Sequence, residues 1–97
     1  MRGKVKYVQR NVFYKENLEY RHSHDVHAVR YTNTIAVLYN GDKVYLDEDD
    51  IRDYYDHQRI TSAVINELNN DLHNVYIEYE ENEDGDYCLD GTLSDYI

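Results

Sequence analysis

The chain predicts an α+β fold, and three observations predict it. Runs alternating polar and apolar residues fill much of the first 46 positions, the apolar period lengthens to that of a helix after Asp47, and alternation returns at Val75. The expected architecture is an antiparallel sheet of about four to six strands, with one or two helices over about 48–72 packed on it. A chain of 97 residues has the length of one domain, so 1–97 is read as a single domain. Its first half, 1–46, is strand-rich and mildly basic, and its second, 47–97, holds an acidic helix and a hairpin.

The strands come first. Lys4-Val5-Lys6-Tyr7-Val8 alternates polar and apolar, as does Asn17-Leu18-Glu19-Tyr20-Arg21, and Val26 to Tyr31 and Thr34 to Tyr39 are two further β-rich runs. Asn40-Gly41 then marks a hairpin. At the centre of a two-residue loop this pair favours a type I′ turn, whose central residues both need positive φ. That register sets Val37 against Val44 and Ile35 against Leu46.

At Asp47 the period changes. Asp47 or Asp49 can cap a helix, and the acids that follow suit the positive end of its dipole. Ile51, Tyr54 and Tyr55 form one apolar stripe, continued after Arg59 by Ala63, Val64, Leu68 and Leu72. One long helix or two would satisfy the pattern, and the capping chemistry of Thr61-Ser62 favours a break. In the last segment Val75, Ile77 and Tyr79 alternate with Tyr76, Glu78 and Glu80. A five-residue loop, Asn82 to Asp86, keeps Tyr79 opposite Leu89 and Glu81 opposite Tyr87, so Ile77, Tyr79 and Leu89 share a face.

Charge separates along the chain. Residues 1–46 carry eight Lys/Arg against four Asp/Glu, a local +4, whereas 47–97 carry two Arg against sixteen Asp/Glu, a local −14. The net −10 exceeds the magnitude of about 2–8 that keeps a small domain soluble. Self-repulsion of that size is expected to serve association with a partner of opposite charge. The apolar side is also distinctive: twelve Tyr stand beside one Phe and no Trp, and Tyr suits core margins and recognition surfaces.

Several chemistries are expected to be absent. Cys88 is alone, which excludes an internal disulfide and a Cys-based zinc site and fits a reducing compartment. No apolar run nears the ~18 residues of a transmembrane helix, so a cytoplasmic location is expected. His22, His24, Asp25 and His27 approach the HxHxDH zinc motif of the metallo-β-lactamase superfamily. Asp25 falls one position early and that fold needs far more chain, so no metal is assigned. Asn82 to Asp86 resembles a calcium loop, but Gly91 stands where a bidentate Glu is required. Cys88 lies in an acidic hairpin that disfavours its thiolate. Ser23, Ser62 and Ser94 lack a nucleophile-elbow context, and no Gly-rich phosphate loop occurs. Neither an enzyme nor a bound cofactor is expected.

The acidic surface remains as the candidate site. Asp49, Asp53 and Asp56 recur at i, i+4 and i+7, which on a helix spaces them by about 5–6 Å, comparable to phosphates along a nucleic-acid strand. Asp50 and Tyr54 share that helix. Glu78 and Glu80 line one strand face, Glu81, Glu83, Asp84 and Asp86 crowd the hairpin tip, and Tyr76 and Tyr87 are interleaved. If helix and hairpin are neighbours, these residues make one anionic ridge that competes for the Arg/Lys groove of a nucleic-acid-binding protein. Arg2, Lys4, Lys6, Arg10 and Lys15 need a separate role: contact with DNA or RNA, or with an acidic patch on a partner or on a second copy, giving a homo-oligomer.

Asp49-Asp50-Ile51-Arg52-Asp53 resembles acidic helix stretches of bacteriophage DNA mimics. In overall character the Tyr-, Asn- and Asp-rich chain without Pro or Trp resembles small phage anti-defence proteins, the anti-CRISPR and anti-restriction inhibitors. The resemblance implies a stoichiometric inhibitor without catalytic residues, acting in a bacterial cytoplasm on a CRISPR effector or a restriction-type complex. The alternatives are an oligomerising or regulatory interaction module with a Tyr-rich sheet, or a small nucleic-acid-associated protein that uses its basic first strand.

Overall fold

Alternation in β1, Arg2–Glu16, is interrupted by a register shift against its neighbouring strand. The computed structural model describes the backbone of residues 1–16 and 28–97 and the side chains of 1–11 and 32–97. Val5 lies opposite Leu38 and Tyr7 opposite Val37, so Lys6 is an extra residue, a β-bulge. It resets the phase, which is why Val5 and Val8, three apart, both lie buried. The expected strand over Asn17 to Arg21 and the His22 to His27 cluster lie outside the described residues.

β1 pairs along its length with β2, Ala28–Leu38, and the two β-rich runs expected there are one strand. β3, Lys43–Leu46, follows; β4, Tyr76–Glu81, and β5, Tyr87–Leu89, close the sheet into a barrel of order β1-β2-β3-β5-β4. The expected α+β class holds, with one departure from a purely antiparallel sheet: β3 and β5 run parallel, Val44 beside Tyr87. A parallel pair needs a long crossover, here supplied by two helices and β4.

The β2–β3 hairpin forms at Asn40-Gly41, but not with the expected turn. Its loop is Tyr39–Gly41, with Leu38 N donating to Asp42 O (2.9 Å) and Gly41 N to Leu38 O (3.0 Å). Gly41 alone takes positive φ, +90°, which marks a three-residue loop with a G1 bulge rather than type I′. The pairing slips by one, Ala36 to Val44 and Thr34 to Leu46. The cause is the Asn40 side chain, whose Oδ1 accepts from Asp42 N (2.9 Å) and whose Nδ2 donates to the Tyr79 hydroxyl (3.1 Å). Those bonds hold Asn40 out of the left-handed conformation a type I′ turn requires. Ala36, Leu38, Val44 and Leu46 then face the core together. The second hairpin has the expected five-residue loop, with Tyr79 opposite Leu89 and Glu81 opposite Tyr87.

Two helices form, as the capping chemistry suggested. α1, Glu48–Tyr55, starts where Asp47 accepts from Asp49 N and ends on Asp56, which is left-handed at φ 53°. α2, Ser62–Leu72, starts where the Thr61 hydroxyl accepts from Val64 N. Ile51, Ile60, Val64, Leu68 and Leu72 enter the core, whereas Ala63, expected in the stripe, is exposed.

β1 pairs with β4 only over Arg2–Lys4. Farther along, α2 and the turn after it take the place of a strand. Val5 exchanges backbone bonds with Val75 and Asn74, and the Lys6 carbonyl accepts from His73 Nδ1 (3.0 Å). Asn69 Oδ1 accepts from Val8 N (2.6 Å) while its Nδ2 donates to Val8 O (2.8 Å), as a neighbouring strand would. A side chain thus closes the barrel wall.

Candidate acidic interface

The acidic residues reach the surface because the core uses the alternate positions. On β4, Ile77 and Tyr79 are buried, which turns Tyr76, Glu78 and Glu80 outward. On α1, Ile51 is buried, and Asp49, Asp53 and Tyr54 fall on the exposed side. Glu81, Glu83, Asp84 and Asp86 are exposed in and beside the hairpin loop. That loop is shaped by Asn82, whose Oδ1 accepts from Asp84 N (3.0 Å) and Asp86 N (2.9 Å).

Helix and hairpin are tied together at the C-terminus. Asp50 Oδ2 accepts from Leu93 N (2.8 Å), fixing the short 3-10 turn Leu93–Asp95 against α1. Next in the chain, the Tyr96 hydroxyl donates to Asp90 O (2.5 Å) and lies 3.4 Å from Glu78 O, where β4 and β5 meet. Asp90 and Asp95 are exposed along this seam and were missed by sequence reasoning; they stand in no run of acids.

Several expected site residues have structural duties. Asp50 is half-buried and committed to Leu93, and Asp49 pairs with Arg52 one turn on. Asp56 was expected on the same helical row as Asp49 and Asp53. It ends the helix in a left-handed conformation, so the i, i+4, i+7 row stops at Asp53. Tyr87 is half-buried, its ring edge-on to Tyr79 at 5.3 Å, and so belongs to the core margin. Tyr54 is exposed, with its ring edge-on to Tyr55 at 4.9 Å.

The basic start of the chain lies beside the acids. Arg2 is the register partner of Glu78, and its guanidinium stacks 4.6 Å from the Tyr76 ring centroid. Lys4 Nζ is 6.0 Å from Tyr76 and 5.9 Å from Tyr39, and Lys6 Nζ is 6.0 Å from Tyr39. Arg10 departs from the row: its Nη1 donates to Ile60 O (2.5 Å) and its Nε lies 3.4 Å from Glu48 Oε2. The Lys15 side chain lies outside those described.

Burial first, with neighbouring acids adding to it, raises three tyrosine hydroxyls above their ordinary value. Burial, then the bond to Asp71 Oδ2 (2.8 Å), pushes the Tyr55 hydroxyl far above its ordinary value. Burial and Asp42 raise Tyr79, whose hydroxyl donates to Asp42 Oδ2 at 2.5 Å. Burial and the Asp90 carboxylate raise Tyr96 against the lowering effect of the Glu78 backbone bond. Among the described residues no group of three or more His, Cys, Asp and Glu could hold a metal ion. No helix among them is long and apolar enough to cross a membrane. No protein-family model, curated protein or solved structure matches the chain.

Proposed function

We propose that this chain is a stoichiometric inhibitor that lays its acidic surface in the nucleic-acid-binding groove of a bacterial defence complex, a CRISPR effector or a restriction-type assembly. One observation carries the reading: Asp49, Asp53, Asp56, Glu78, Glu80, Glu81, Glu83, Asp84 and Asp86 are all exposed, and among the described residues only Asp49 of these is ion-paired. A net charge beyond the magnitude of about 2–8 that serves solubility adds self-repulsion, which contact with a basic partner would offset.

A single exposed ion pair contributes about 0–1 kcal/mol. Affinity must therefore come from many pairs desolvated together, with Tyr54 and Tyr76 as aromatic anchors at the contact. Capture of partners from bacterial lysate on the immobilised chain tests the reading. Recovery of a basic nucleic-acid-binding protein supports it, and recovery of none sinks it.

A specific observation favours a second reading. Arg2, Lys4 and Lys6 interleave with Tyr76 and Tyr39, each more than half exposed, in the manner of surfaces that stack bases of a single strand. Direct binding of an oligonucleotide, with affinity falling steeply as salt rises, would favour it over the inhibitor. A stable oligomer by light scattering at moderate salt would instead favour the interaction module.

A further inference from the structure

Three arginines line one cavity of about 500 Å³, although the chain carries a net −10. Arg10 comes from β1, Arg52 from α1 and Arg59 from the connection to α2; Gln58, Ile60 and Thr61 complete the lining. Arg52 and Arg59 are the only Lys or Arg after Leu46, and both stand here. Like charges so grouped repel one another, so the fold supplies partial counter-charge. Glu48 lies beside Arg10 and Asp49 pairs with Arg52. Arg59 forms no ion pair among the described residues. Arg10 Nε is shut off from solvent with no hydrogen-bond partner among the described residues, the Glu48 oxygen at 3.4 Å being too poorly aligned to serve.

Donors outnumber acceptors around this cavity. Arg59 offers a planar fork of five N–H groups, matched to the oxygens of a phosphate, and Gln58 adds an amide. Thr61 caps α2 through its hydroxyl oxygen toward Val64 N, leaving the Ser62 and Ala63 N–H groups without helical partners at the positive end of the dipole. The volume falls within the range of small-ligand sites, and Ile60 is the one apolar residue in the lining. We propose that the cavity formed by Arg10, Arg52, Arg59 and the start of α2 binds a phosphate group, carried either by a phosphate monoester or by a phosphodiester backbone. The site touches the acidic interface only through Asp49, the partner of Arg52, and Arg59 lies outside that interface, so the two readings can be tested apart.

Two-dimensional NMR titration of the full chain with inorganic phosphate, adenosine monophosphate and a short oligothymidylate without terminal phosphates tests it. The expected result is saturable shifts at the Nε–H groups of Arg52 and Arg59 and at the Ser62 and Ala63 amides. Saturation by phosphate and the monoester alone identifies a free phosphate ester as ligand; saturation by the oligonucleotide identifies a backbone. Arg59 is exposed and forms no ion pair among the described residues, so Arg59→Gln should leave the fold intact while weakening binding about tenfold or more. Arg59→Lys, which keeps charge but loses the fork, should fall between. Absence of saturation by all three probes, shifts spread over Lys4 and Lys6 instead, or unchanged affinity in a folded Arg59→Gln variant would each overturn the proposal.

Discussion

The guanidinium of Arg2 stacks 4.6 Å from the centre of the Tyr76 ring, while its backbone register partner is Glu78. This places the basic start of the chain against the acidic strand, so part of the charge segregation seen in the sequence is brought together by folding. An exposed cation–π contact contributes about 0.5–1 kcal/mol. A double-mutant cycle of Arg2→Ala and Tyr76→Ala, read by urea unfolding, should give a coupling of about that size. Larger coupling would mean that the seam holds the barrel shut.

Asn69 should matter far more. Its amide satisfies both the N–H and the C=O of Val8, and deleting one partner of a buried hydrogen bond costs about 1–3 kcal/mol. Asn69→Ala should lower the unfolding free energy by that amount, read as a lower urea midpoint with unchanged slope, whereas Asn70→Ala, at an adjacent exposed site, should shift it little.

Glycines at two positions should fail for different reasons. A Cβ on Gly3 would lie 2.6 Å from Leu38 Cδ1, inside the barrel wall, so Gly3→Ala should cost about 1–3 kcal/mol through overpacking. A Cβ on Gly41 meets nothing within 4 Å, but φ there is +90°. Gly41→Ala should therefore lose about 1 kcal/mol through backbone strain. Thermal unfolding of Gly3→Ala with Leu38→Val separates the two causes, because relief of the clash recovers stability only at Gly3.

Stability should fall at high pH. Tyr55, Tyr79 and Tyr96 are all raised above their ordinary value, so the folded chain retains protons that the unfolded chain releases. Their contribution is complete below the unfolded value of about 10 and is lost as pH rises from there toward the folded values. Unfolding free energy measured from pH 8 to pH 11 should decline above about pH 10. Tyr79→Phe is expected to be less stable at neutral pH, having lost its bond to Asp42, and to decline less steeply.

Local pattern revealed what depended on local chemistry. The second hairpin's loop followed from keeping Ile77, Tyr79 and Leu89 on one face, and the helix break followed from Thr61. The β2–β3 register did not, because the long-range bond between Asn40 and Tyr79 overrides the preference of Asn-Gly itself. The Lys6 bulge and the Asn69 bridge were equally hidden, since neither leaves a periodic trace. Among the acids, sequence identified the exposed β4 face and hairpin loop, but Asp50 looks like its neighbours until its bond to Leu93 is seen. The arginine cavity assembles from positions 10, 52 and 59, and no spacing rule joins them.

In the proposed function, exposed carboxylates of α1 and the β4 hairpin compete with nucleic acid for a basic groove. That competition is tested most directly by fluorescence anisotropy of labelled nucleic acid bound to the captured partner, titrated with this chain. Stoichiometric displacement is expected, and it should be lost when Asp49, Asp53 and Asp56 are changed to Lys in a chain that still folds. Undiminished displacement by that variant, or a nucleic acid that stays bound throughout, would contradict it.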